Sequence, residues 1–319
     1  MTTHATRTPT GSSAPGSSAP GSSAAGDGAR REGAPGGTAR LGRYTVARIG
    51  FGAMQLESRS ASEDAAVAIL RQAIDAGVNH IDTAQFYPGC NTVIRTALTP
   101  FPDDLVLATK VGAERDPEGK LVPAQRPAQL RAQVEENLAT LGAEQVGVVN
   151  LRRLDARPGI LAEGDQVVSL DDQLAELATL REEGKIGAIG LSNVSADQLG
   201  HALPAGIACV QNSYSLLDRA TEPVLALCRQ HAIAWAPYFP LGSAFPSMPR
   251  VIDNAAVLAI AAELSVTPAQ VGLAWQLAYY QGTLLIPGTA DLRHLAENVA
   301  AGVIKLPPAS LAALSQLAG

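Results

Sequence analysis

From about residue 41 onward, the apolar positions of this chain switch repeatedly between two periods. Short apolar runs of the kind that form strands buried on both faces fall at Ile49–Gly52, Asn79–Asp82, Leu105–Lys110, Val146–Leu151, Ala188–Leu191, Cys209–Gln211, Ala234–Tyr238 and Leu284–Ile286. Between them, apolar residues recur every three or four positions, as on one face of a helix: Val67, Leu70 and Ile74 before Gly77, then Leu130, Val134, Leu138 and Leu141 before Gly142. Their ends carry helix punctuation. Ser62 precedes Glu63 and Asp64, Ser169 and Asp172 resemble a capping box ahead of Leu174, and Thr267-Pro268-Ala269-Gln270 combines an N-cap, a first-turn proline and a box glutamine.

Eight strands alternating with helices predict an α/β fold, a (β/α)8 TIM barrel over residues 39–319 with an N-terminal β-hairpin. A doubly wound open sheet is the competitor, but the turn Gly50-Phe51-Gly52-Ala53-Met54-Gln55 lacks the third glycine of a dinucleotide fingerprint. Residues 1–38 read differently. They hold Gly-Ser-Ser-Ala-Pro at 11–15 and again at 16–20, with almost no large apolar side chain, so burial cannot offset their ordering entropy and a disordered tail is expected.

Composition narrows the partners. A net charge of −6 leaves no basic face for nucleic acid. No apolar run approaches the length of a membrane span, and Arg30-Arg31 is followed by no apolar segment, so neither a membrane anchor nor an export signal is expected. Cys90, Cys209 and Cys228 form no C-x-x-C pair and read as free thiols of a cytoplasmic protein. His201, His231 and His294 lack metal-ligand spacing, so no metal site is expected.

A barrel carries its chemistry where its strands end. Those ends read Asp82, Lys110, Arg152, Ser192-Asn193, Gln211-Asn212, Tyr238 and Gly288-Thr289. A few such groups would serve as caps; polar or special residues after nearly every strand point to a site. Tyr87 follows Asp82 by five residues, and Lys110 closes the next strand. An unperturbed phenol is a poor acid at neutral pH. An adjacent ammonium stabilises its conjugate base, and a carboxylate beside that ammonium keeps it charged.

The motifs Gly50-Phe51-Gly52-Ala53-Met54, Asp82-Thr83-Ala84 with Tyr87, Ala108-Thr109-Lys110, Gly190-Leu191-Ser192-Asn193, Val210-Gln211-Asn212, Pro240-Leu241-Gly242 and Ile286-Pro287-Gly288-Thr289, with Glu297-Asn298, run in order to the C-terminus and resemble the aldo-keto reductase family. Val148-Val149-Asn150-Leu151-Arg152 and Tyr238-Phe239-Pro240-Leu241-Gly242 are similar to its bacterial pyridoxal reductase subgroup. The resemblance implies reduction of a small-molecule aldehyde or ketone by hydride from NADPH, with NADH as the alternative cofactor. Tyr87 would be the proton donor, and Asp82 and Lys110 its partners. It also implies that Ser192, Asn193 and Gln211 hold the nicotinamide carboxamide, Tyr238 stacks on the ring, Gly52, Leu241, Gly242 and Ser243 approach the cofactor, and Gly288, Thr289, Glu297 and Asn298 hold its adenosine end. The pair that grips a 2'-phosphate in many members here reads Gly288 and His294, with Arg293 as a substitute.

One departure matters for chemistry. The family usually ends its fourth strand on histidine, and this chain has Arg152 followed by Arg153. A guanidinium cannot exchange protons near neutrality, yet it donates strong hydrogen bonds. Arg152 would polarise the carbonyl, favour the Tyr87 phenolate, or hold an anionic substituent such as a pyridoxal 3-oxide; an ion pair with Asp155 is the structural alternative. His80 shares the Asp82 face one layer deeper and reads as a hydrogen-bonded core histidine, or as a stand-in for the absent one. Cys90 reads as a loop thiol near the rim. Substrates expected from the resemblance are pyridoxal or a natural-product carbonyl. A redox-neutral enzyme on the same barrel, or a nicotinamide-binding regulatory protein with little turnover, are the alternatives.

Overall fold

The computed structural model describes residues 33–56, 60, 62–156, 159–242 and 248–317. Strands β1 (Thr38–Leu41) and β2 (Tyr44–Ala47) pair antiparallel with Leu41 opposite Tyr44. The barrel follows as β3 (Phe51–Gly52), β4 (His80–Asp82) and β5 (Val106–Val111), a small antiparallel hairpin of β6 (Ala113–Arg115) and β7 (Leu121–Pro123), then β8 (Val148–Arg152), β9 (Ile189–Ser192), β10 (Ile207–Gln211) and β11 (Ala234–Trp235). The order β3-β4-β5-β8-β9-β10-β11 is parallel throughout.

The expected eighth strand, 284–286, is present only as bridges, and these close the ring. Gly50 N donates to Leu285 O at 2.7 Å and Leu285 N to Arg48 O at 2.8 Å, while on the other side Leu284 N donates to Trp235 O at 2.8 Å. The seventh strand stops at Trp235 rather than Tyr238. Pro237 has no N–H for a ladder, and Phe239 turns the chain through a positive φ of 55°. The fold also begins earlier than residue 39. Ile49 N donates to Pro35 O, Arg48 N donates to Gly37 O, and Thr38 pairs with Ala47. Residues 1–32 lie outside the described part.

The hairpin plugs the N-terminal end of the barrel. Leu41 and Val46 pack with Val106, Ala108, Val148, Ala188, Ala208, Cys209, Ala234 and Leu284, so the floor is built from small and branched apolar side chains. At its turn, a Cβ on Gly42 would come within 3.1 Å of Ala208 and 3.3 Å of Ala188. The larger apolar layer lies between strands and helices, among them Leu70, Leu130, Leu177, Leu225, Val271 and Trp275.

Helix ends follow the sequence signals. Ser62 accepts from Ala65 N and opens the helix Glu63–Asp75. Thr267 and Gln270 form the reciprocal box that opens Pro268–Tyr279. At Ser169 only half of the box forms: its hydroxyl accepts from Asp172 N, and the aspartate, one carbon shorter than glutamate, makes no return bond. The helix Pro127–Leu141 ends on Gly142 in the left-handed conformation.

Candidate active site

β4 and β5 are neighbours in register, with Asp82 opposite Ala108, and their C-terminal ends bring two charges together inside the rim. The Lys110 ammonium donates to Asp82 Oδ2 and, at 3.1 Å, to Thr83 O. Both side chains are 5% exposed, so neither charge is stable there without the other. Asp82 Oδ1 accepts from Gln211 Nε2 at 2.6 Å, which fixes the carboxylate from a third strand, β10. Lys110 Nζ lies 4.9 Å from the centre of the half-buried Tyr87 ring. Burial pulls the ammonium down, but the Asp82 charge and, behind it, Tyr87 outweigh that and hold Lys110 above its ordinary value. It therefore stays protonated.

Asp82, Tyr87 and Lys110 form part of the wall of one pocket of about 310 Å³. Gly52, Arg152, Tyr238, Leu241, Gly242, Gly288 and Asn298 also line it, as do Met54, Gln55, Phe239 and Ile286, to which the sequence assigned no role in the site. Glycine is required at the back of this pocket. A Cβ on Gly52 would sit 2.5 Å from Ile286 O, and one on Gly288 would sit 2.5 Å from Gly52 O. Gly242, at φ +81°, would place a Cβ 2.1 Å from Pro249 O.

Other expected cofactor residues are not part of that wall. Ser192 and Gln211 are buried, Gln211 being committed to Asp82, and Asn193 donates to Arg153 O at 2.9 Å from a left-handed φ of 60°. Thr289 is buried and its hydroxyl accepts from Asp291 N. Arg293, exposed, donates to Glu297 Oε1 at 2.9 Å and lies 3.0 Å from His294 Nε2. These three groups cluster along one face of the helix Leu292–Ala300, the same helix that brings Asn298 to the pocket. Ser243 lies outside the described residues.

The two arginines that end β8 differ. Arg153 donates to Asp155 Oδ2, Val168 O and Gln173 Oε1, so the acid that the sequence offered to Arg152 is taken by its neighbour. Arg152 is half-buried at the pocket wall, and its Nε is buried without a protein partner. Cys90, expected in a loop, is instead the first residue of the helix Cys90–Leu98, 1% exposed, with Sγ donating to Ala53 O. Gly89 at φ +67° precedes that helix and supplies no side-chain cap that the sequence could announce.

Beneath Asp82 lies a polar layer that only the fold assembles. His80 is 2% exposed and fills the space over Gly50, where a Cβ would stand 2.2 Å from its Nε2. Asn150 fills the space over Gly190 in the same way, where a Cβ would stand 2.0 Å from its Oδ1. With Gln211 and Cys209 they border a cavity of about 10 Å³, room for one water centre. Neither ring nitrogen of His80 has a protein partner, so the expectation of a hydrogen-bonded core histidine is corrected, and burial lowers its pKa to about 4.

The geometry defines a class. Residues 48–318 match the aldo/keto reductase family model, and the chain belongs to that family. It is 39% identical over 285 residues to pyridoxine 4-dehydrogenase of Escherichia coli, covering 87% of this chain and 96% of that protein. It is 32% identical over 290 residues to an uncharacterised oxidoreductase of Schizosaccharomyces pombe, covering 88% and 89%. The crystal structure of an aldo/keto reductase from Klebsiella pneumoniae in complex with NADP and acetate superposes with a TM-score of 0.73 at 28% identity, covering 88% of this chain and 94% of that one.

Proposed function

We propose that the protein reduces an aldehyde or ketone to the alcohol with NADPH, with Tyr87 as the general acid. The observation that carries this reading is the junction of Asp82, Lys110 and Tyr87 on the wall of one pocket. The pocket residues fit a dinucleotide: Tyr238 offers an aromatic face for a planar ring, and Gly52, Gly242 and Gly288 bring backbone without side chains to the lining. Gly52, Tyr238, Leu241, Gly242, Gly288 and Asn298 would hold NADPH, with Arg293, His294 and Glu297 at its adenosine end. Bound there, it supplies the hydride for the carbonyl carbon.

The chain's own residues manage the proton. As charge develops on the carbonyl oxygen, Tyr87 Oη gives up its proton to it. The Lys110 ammonium stabilises the phenolate left behind, and Asp82, held by Gln211, keeps that ammonium charged and in place. The pyridoxine 4-dehydrogenase relative and the NADP-bound structural neighbour support a pyridoxal-like carbonyl and NADPH. The test offers NADPH and NADH separately against a panel of carbonyls that includes pyridoxal, and follows loss of reduced nicotinamide. Oxidation that depends on substrate is expected; tight cofactor binding with no oxidation across the panel would overturn the reading.

A further inference from the structure

Arg152 is the rim group that the reaction above leaves without a task. Its guanidinium is fixed in charge, so it replaces the usual histidine in position but not in proton exchange. Asp82, the acidic residue of the pocket wall, is already neutralised by Lys110, and Asp155 by Arg153. Among the described residues Arg152 makes no side-chain hydrogen bond or ion pair, and its Nε is buried without an acceptor. A half-buried cation facing a pocket in this way has lost water without gaining a counter-charge.

The strand order says where the missing anion comes from. β8 adjoins β5, the strand of Lys110, whereas Gly242 follows β11 and Gly288 follows the closing bridges at Leu285. Arg152 therefore stands beside the strand of Lys110, while Gly242 and Gly288, which would hold the cofactor, follow strands three and four places further round the ring. We propose that Arg152 is a substrate-binding residue that takes an anionic oxygen, a carboxylate or a phenolate, carried by the substrate next to its carbonyl group. The inference rests on the reductase reading and adds the chemical class of its substrate. The fork of the guanidinium then fixes the angle at which the carbonyl meets Tyr87, which a diffuse positive field would not do.

The experiment compares matched pairs on the full chain: 2-carboxybenzaldehyde against benzaldehyde, and pyridoxal against its 3-O-methyl ether. kcat/KM with NADPH is measured for the wild type, Arg152→Gln and Arg152→Lys. The wild type should prefer the anionic member of each pair, and Arg152→Gln should cut that preference about 10- to 100-fold. Arg152→Lys should recover part of it, since the charge returns without the fork. An equal loss for both members of each pair would overturn the proposal and make Arg152 a carbonyl-polarising group. A second readout does not need turnover: calorimetric binding of benzoate and of benzamide to the NADP+-saturated protein. Loss of benzoate binding alone in Arg152→Gln supports the subsite even if no carbonyl is reduced; benzoate binding that survives the substitution rejects it.

Discussion

Replacing His80 by glutamine tests whether the imidazole under Asp82 is as desolvated as its burial implies. The imidazole is sealed beneath the Asp82 carboxylate, and burial takes its pKa from 6.5 to about 4. In the unfolded chain it binds a proton as pH falls through 6.5; in the fold it resists until about 4. The unfolded state thus holds more protons in that window, and stability is lost as pH falls through it. At one decade of pH per 1.36 kcal/mol, the loss from this group reaches roughly 2–3 kcal/mol near pH 4.5 and is negligible near pH 7.5. Reversible urea unfolding of wild type and His80→Gln at both pH values isolates the contribution, because every other acid-sensitive group is shared. The wild type should lose roughly 2–3 kcal/mol more than the variant on acidification. Parallel losses would refute the reasoning and mean that His80 is protonated or solvated in the fold.

Three further outcomes follow from the same geometry. Lys110→Met leaves the buried Asp82 carboxylate without its counter-ion and should cost roughly 3–5 kcal/mol in denaturant unfolding, part of which Asp82→Asn in the same chain should restore. Gly190→Ala drives a Cβ into Asn150, an overpacking worth about 1–3 kcal/mol, and trimming Asn150 to alanine as well should relieve it. Arg293→Ala, at an exposed position on the Asn298 helix, should raise KM for NADPH about three- to tenfold at low salt, with NADH little changed and the difference fading as salt rises.

Much of the fold was legible because it is written locally. Apolar runs ending at Asp82, Lys110 and Leu151 marked strand ends to within one residue, and Ser62, Thr267 and Gly142 marked helix ends where the structure has them. Errors arose where a local pattern met a backbone constraint: Pro237 and the positive φ at Phe239 shortened the seventh strand, and Gly89 opened a helix with no side-chain signal. The site was legible in its parts but not in its pairings. Nothing in the order of residues told that Asp155 would go to Arg153, that Gln211 would reach Asp82 from 129 positions away, or that Gly50 and Gly190 would make room for His80 and Asn150. Those pairings exist only once the barrel has closed. They include the bond that ties Gln211, which the resemblance had given to the nicotinamide carboxamide, to the Asp82 carboxylate.

The central claim is that Tyr87 delivers the proton. Its most direct test is single-turnover reduction of pyridoxal by NADPH in wild type and Tyr87→Phe, with NADPH affinity measured in parallel by fluorescence. The phenyl ring keeps its packing against Phe86 and loses only the hydroxyl. Loss of about 10²- to 10⁴-fold in the chemical step with unchanged cofactor affinity is the predicted result. A Tyr87→Phe protein that still reduces the substrate at the wild-type rate would contradict the account.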